Sequence, residues 1–292
     1  MTHDQIFIDS WLREESTWKE HFRGWDFSSL VSNGRMSFNT SKENLGWDYT
    51  ELICQTLEKL IDSSSDNNID EIYLLDLGTG GGEFLEELLR KLPVKGRKLT
   101  VYATESYEPN FLLAKQRLIS YGVNVVQSES ASLNSFLPFP NDWPKFDLII
   151  SRHTCYNIRE VDRLLKNETG IFITQQVDGK SNQDLIELFC QQAKWPYFNL
   201  SYASDLVNLQ APSMKIVQAQ ESTTYLAFKD IGALIIYLHA VPWVIENFSV
   251  HKYKDILLKL YHTGQKEFVF TSKYMLLKAA KTVKIEDNNV GT

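Results

Sequence analysis

The sequence predicts an α/β domain built on a doubly wound, mostly parallel sheet of seven strands. Three observations predict it. Apolar runs of strand length recur at Ile72–Leu77, Leu99–Thr104, Val123–Val126, Phe146–Ile150 and Thr169–Val177. Stretches with helical spacing of apolar residues separate them, and strands that alternate with helices imply parallel pairing. The first run also ends in four glycines within five positions, Gly78, Gly80, Gly81 and Gly82. A turn that tight needs unusual backbone angles and lets a ligand approach bare backbone.

The chain has 292 residues, 43% of them hydrophobic, enough for one large domain with additions. Its net charge of −7 provides no basic footprint for nucleic acid. The three cysteines, Cys54, Cys155 and Cys190, fit no metal spacing, so no metal is expected, and they suggest a reducing compartment. No apolar run reaches membrane-spanning length. A soluble cytoplasmic protein without a membrane partner is therefore expected.

Residues 1–69 read as a helical, aromatic arm. An amphipathic helix is expected over 4–22, followed by an irregular aromatic stretch and a second helix over about 49–62. Trp25, Trp47 and Tyr49 are candidate pocket residues, although aromatic residues this dense can equally dock the arm on a core. Ser63–Asn68 is a polar boundary. Residues 70–281 follow as the main domain. Its first strand leads through the glycines into a helix with Leu85, Leu88, Leu89 and Leu92 on one face. Glu83, Glu86 and Glu87 precede Arg90 and Lys91 along it, the order that a helix dipole favours, and Pro93 stops it. The second strand ends at Glu105, where a carboxylate can bind both hydroxyls of a ribose. Pro109 opens a helix to Gly122.

The fourth strand runs into Ser151-Arg152-His153-Thr154-Cys155-Tyr156. Open α/β sheets bind ligands outside the carboxyl ends of their strands, so Arg152, His153 and Tyr156 point to the site by position. His153 is a candidate general base because its ordinary pKa lies near neutrality, but a binding or structural role is favoured. Residues 158–166 form a helix, and Ser181 or Asn182 caps another. Residues 195–213 read as irregular and Met214–Gln220 as the sixth strand. The stretch 229–265 intervenes before the last strand, Phe268–Ala279. An insertion of this length is often a lid or binding element, which makes Tyr237, His239 and Trp243 candidates for a substrate pocket. Residues 282–292 read as a disordered tail.

Two cofactor patterns compete for the glycine turn. The dinucleotide fingerprint G-x-G-x-x-G/A is met by Gly78 and Gly80 but broken by Glu83, a carboxylate facing a diphosphate. D-x-G-x-G-x-G is met throughout by Asp76, Gly78, Gly80 and Gly82. The latter resembles motif I of the class I S-adenosylmethionine (SAM) dependent methyltransferases. Leu137-Pro138-Phe139 and Phe146-Asp147-Leu148-Ile149 resemble further signatures of that family. The resemblance covers about residues 70–178 and points to the methyltransferase type 11, UbiE-like group, in a bacterial subfamily. It implies a Rossmann-like methyltransferase fold with SAM as cofactor. Asp76, Gly78, Thr79, Gly80 and Gly82 would meet SAM, Glu105 its ribose, and Glu129 and Ser130 its adenine. It also implies methyl transfer to a small molecule by in-line displacement. Two other readings remain open: a SAM-binding sensor or partner subunit, and a nucleic-acid methyltransferase. The latter lacks an N/D-P-P-Y/F motif and a catalytic-cysteine motif.

Overall fold

The computed structural model describes residues 3–21, 27–63, 71–92, 98–130 and 132–282. The chain divides into two compact units. The first comprises Met1–Trp47, Val177–Asn199 and Glu221–Tyr274; the second comprises Asp48–Gln176, Leu200–Gln220 and Met275–Thr292.

The helices are α1 His3–His21, α2 Ser28–Ser32, α3 Lys42–Leu45, α4 Tyr49–Ser63, α5 Glu83–Lys91, α6 Glu108–Leu118, α7 Ile158–Leu164, α8 Gln183–Leu188, α9 Leu200–Gln210, α10 Ile231–Ala240 and α11 Val250–His262. The strands are β1 Met36–Phe38, β2 Glu71–Leu77, β3 Lys98–Glu105, β4 Asn124–Gln127, β5 Leu148–Arg152, β6 Ile171–Val177, β7 Met214–Phe228 and β8 Phe268–Lys281. The sheet order is β1-β7-β8-β6-β5-β2-β3-β4.

In the second unit β2 pairs in parallel with β3 on one side and β5 on the other, while β3 pairs with β4 and β5 with β6. The chain thus winds outward from β2 to β4, then returns to β5 and winds the other way. The strand order reverses between β2 and β5, and their carboxyl ends flank the crevice where such sheets bind ligands. These central strands are continuous apolar runs because helices cover both faces. Leu74, Leu75, Leu148, Ile149 and Ile150 are fully buried. Leu85 and Leu88 bury the inner stripe of α5.

In the first unit β1 pairs antiparallel with the end of β7, Met36 opposite Phe228 and Phe38 opposite Leu226. One core joins Trp11, Leu30, Met36, Leu185, Phe189, Phe228, Leu234, Ile235, Leu238, Ile245 and Leu257. Helix α1 packs on α10 and α11 through this core. Residues 1–47 therefore supply core side chains to the unit.

Three expectations are corrected. The sheet has eight strands where seven were expected, because Met36–Phe38 adds an edge strand. Three residues are too short to show a period of two, and their ladder partner lies far along the chain. The stretch 195–213 is not wholly irregular: Leu200–Gln210 is a helix that buries Ala203, Leu206 and Val207 at helical spacing. The sixth expected strand also continues to Phe228.

Candidate active site

The glycine turn after β2 is held from below by its own backbone and by β3. Thr79 N–H donates to Thr104 O (2.9 Å), and Gly82 N–H donates to Thr79 O (3.1 Å). Gly78 and Gly80 have φ of +66° and +63°, the left-handed region that side chains with a Cβ rarely adopt. Their surroundings differ. A Cβ on Gly78 would lie 2.6 Å from the Thr154 side chain, so the loop after β5 closes against this position. A Cβ on Gly80 would meet nothing within 4 Å. One glycine is required by packing, and the other faces open space.

Glu105 ends β3 and is buried. Its Oε2 accepts from Gly80 N–H (2.8 Å), and its Oε1 accepts from Ser106 N–H (2.9 Å) and Tyr107 N–H (2.8 Å). The carboxylate therefore pins the glycine turn to the end of β3 and fills three of its roughly four lone-pair sites. Ser128 N–H donates to Glu105 O (3.0 Å), which ties the start of the next loop to the same point. Glu129 and Ser130 follow on that loop and are exposed.

Asp76 lies on β2, fully desolvated beneath the turn. Burial pushes its pKa from an ordinary 3.8 up to about 7, while the Thr79 hydroxyl and then the Arg152 cation act in the opposite direction. Thr79 is also buried, and its hydroxyl faces the Asp76 carboxyl beneath the turn.

Across the crevice, the Arg152 guanidinium stands 4.8 Å from the centre of the Phe84 ring, a cation–π contact that links the end of β5 to α5. The Tyr49 ring packs on Phe84 from another side, with centroids 5.6 Å apart. The Tyr49 hydroxyl donates to Ser151 O and lies 3.1 Å from Ile173 O, so it is committed to the backbone of β5 and β6.

His153 has a φ of +55°, strained for a residue with a Cβ. Its N–H donates to Gln175 O (2.9 Å), and its Nε2 is 3.4 Å from Gln175 Nε2. Surrounding protein and the neighbouring Arg152 cation lower its pKa to about 3. The residue is exposed to solvent, which screens much of this effect. The imidazole is neutral at pH 7. Tyr156 is buried with its ring edge-on to Phe172 at 4.9 Å, and burial raises its hydroxyl pKa far above the usual value.

The second unit thus holds Tyr49, Asp76, Gly78, Thr79, Gly80, Gly82, Glu105, Glu129, Ser130, Arg152, His153 and Tyr156. Trp47, Tyr237, His239 and Trp243 belong to the first unit. Tyr237 Oη accepts from Asn182 Nδ2 (2.9 Å), and His239 pairs with Glu15 (3.0 Å) and stacks on Trp18. Trp47 is buried and Trp243 exposed. Trp25 lies outside the described residues. Sequence reasoning missed three residues at the crevice: Phe84, Thr154 and Gln175. Gln175 and Gln176 left a usable signal, because two buried amides in a central strand need specific partners.

Residues 48–168 match the family model of a methyltransferase domain. No curated protein matches the chain. Among solved structures, a proposed methyltransferase of Bacillus halodurans C-125 is 15% identical, with 78% of this chain and 99% of that chain covered and a TM-score of 0.49. The YcgJ protein of Bacillus subtilis is 17% identical over 78% of this chain and 99% of its own, with a TM-score of 0.46. YjhP of E. coli is 14% identical over 80% and 93%, with a TM-score of 0.44. Residues 48–168 are thus similar to a methyltransferase domain, and they carry the glycine turn and the strand crossover described above.

Proposed function

We propose that the chain transfers a methyl group from SAM to a small-molecule acceptor, with SAM held over the glycine turn. The observation that carries this reading is the open space over Gly80, at the point where the strand order reverses. The residues present fit SAM by charge as well. Asp76 and Glu105 suit a ligand with cationic sulfur and ammonium groups, whereas Glu83 is paired with Arg117.

Bound SAM supplies a methyl group already activated by positive sulfur. The chain's residues then have to bind, orient and exclude water. Thr79 Oγ1 offers a hydrogen bond to the ligand. Glu105 keeps the turn in register with β3 and has one lone-pair site left for a hydroxyl. Arg152, held over Phe84, can fix an anionic group of the acceptor. His153, neutral at pH 7, serves as a polar contact to the acceptor. Orientation alone can lower a barrier by about 7–11 kcal/mol when the reacting atoms are aligned.

Calorimetric titration with SAM tests the site. Gly80→Val is expected to abolish binding, since the branched side chain fills the open space. Thr79→Val keeps the shape, removes only the hydroxyl and should weaken binding by about ten-fold. NAD should bind neither parent nor variant. Undiminished SAM affinity in both folded variants would overturn the assignment.

A further inference from the structure

The first unit contains a cavity of about 570 Å³ of its own, within the range of small-molecule sites. Phe7 and Trp11 of α1, Tyr261 of α11 and Phe268 of β8 supply aromatic walls. The rings support one another: Phe7 and Tyr261 lie 4.1 Å apart between centroids, and Trp11 meets Tyr261 edge-on at 6.0 Å. Glu14 and Asp230 supply carboxylates to the same lining.

The charge of this wall is unbalanced. Arg35 bonds Asp230 through Nε (2.9 Å) and Nη2 (2.7 Å), and the same Nη2 bonds Glu14 Oε1 (2.9 Å). Among the described residues, one guanidinium between two carboxylates leaves one negative charge. The basic residues in the lining do not cancel it. Lys229 pairs with Glu267 (2.7 Å), and His262 pairs with Asp4 (3.0 Å). Asp230 is further committed, because its Oδ1 accepts from Ala233 N–H as the cap of α10. Glu14 is therefore the carboxylate that a ligand would meet.

Gly232 is a second, independent observation. It lies in the first turn of α10, where alanine would favour the helix. An added Cβ would come within 2.7 Å of Arg35 Nη2 and 2.9 Å of Glu14 Oε1. The missing side chain leaves room for the charged cluster beside the aromatic walls.

We infer that the Phe7–Trp11–Tyr261 cavity of the first unit binds a small organic cation, an amine or quaternary ammonium group on an apolar body. Aromatic faces attract a cation through their quadrupole, and Glu14 adds the opposite charge in a part-desolvated setting. The inference is independent of SAM binding in the second unit.

Calorimetry on the full chain at low salt provides the test, with benzyltrimethylammonium as probe and benzyl alcohol and benzoate as neutral and anionic controls. Saturable one-to-one binding of the cation is expected, about ten-fold or more tighter than benzyl alcohol, with benzoate not bound. Glu14→Gln and Tyr261→Leu should each weaken it by about ten-fold, and Gly232→Ala should weaken it as well. Gly80→Val, altered in the other unit, should leave it unchanged. Equal binding of the three probes, or no saturable binding of the cation, would overturn the inference. So would affinity lost in Gly80→Val but kept in Glu14→Gln. If a variant of the first unit fails to fold, the ranking of the three probes on the parent protein decides the question.

Discussion

The two units are built by different routes. The second draws most of its residues from one continuous run, Asp48–Gln176, in which β2–β3, β3–β4 and β5–β6 pair consecutive strands and β2–β5 closes the longer range. The first assembles three separated runs, and its core joins Trp11 to Phe189 and Leu257. Their chemistry differs in part. The second unit exposes bare backbone at Gly80 and buries single charged groups beneath it. Ring contacts occur in both interiors, Phe189 on Tyr253 at 5.1 Å in the first and Phe139 on Phe146 at 5.5 Å in the second. A local route leaves its plan in consecutive residues, whereas a long-range route leaves only amphipathic pieces.

The largest test of this contrast is Trp11→Ala. Trp11 is buried among Phe7, Tyr261 and the face of α10, and removing such a side chain costs about 3–5 kcal/mol. Amide exchange in α10 and α11 should speed up by the corresponding factor, while amides of β2, β3 and β5 keep their protection. If the central strands lose protection equally, the two units unfold as one cooperative body.

Asp76 gives the next largest effect. Its folded pKa of about 7 lies above the ordinary 3.8, so the folded state holds an extra proton between these values. Stability from this group is therefore greatest at low pH, falls as pH rises through about 4 to 7, and levels off above. Asp76→Asn should remove that slope and gain on the parent above pH 7, by at most about 4 kcal/mol. SAM affinity should change in the opposite sense in the parent, rising toward pH 7 as the carboxylate ionises, because the ligand is cationic. Urea unfolding and calorimetry across pH 4–9 check both. A parent with no slope in that window would mean that Asp76 is not held neutral by burial.

The smallest test compares two helix caps. In the second unit Asn157 accepts from Arg159 N–H at the start of α7, and in the first Ser249 accepts from Lys252 N–H at the start of α11. Alanine at either cap should cost about 1 kcal/mol, read as a shift of the urea midpoint at constant slope. A much larger loss at Ser249 would show that α11 depends on its cap to hold the assembled core.

Much of the second unit was legible beforehand. Leu74–Leu77 read as a buried strand because its apolar run is continuous, and the glycines after it read as a ligand turn because no other residue type needs that spacing. Glu105 was placed correctly at the end of its strand. Its three backbone N–H partners were not legible, because they depend on how the turn after β2 folds back on β3. His153 illustrates the same limit. Position marked it as a site residue, but its left-handed backbone and its contacts with Gln175 of β6 arise only when the sheet assembles.

The sequence by itself determined the alternation of strands and helices, the glycine turn and the acidic residues around it. These are properties of consecutive residues, governed by side-chain periodicity and backbone sterics. Only the tertiary structure decided that residues 1–47 supply core side chains to the first unit, that Gly78 is closed by Thr154 while Gly80 stays open, and that Glu14, Arg35 and Asp230 meet over Gly232. Each of these depends on groups far apart in the chain. Their contact forms only when burial of apolar surface outweighs the entropy of ordering the segments between them, and no local pattern records which segments those will be.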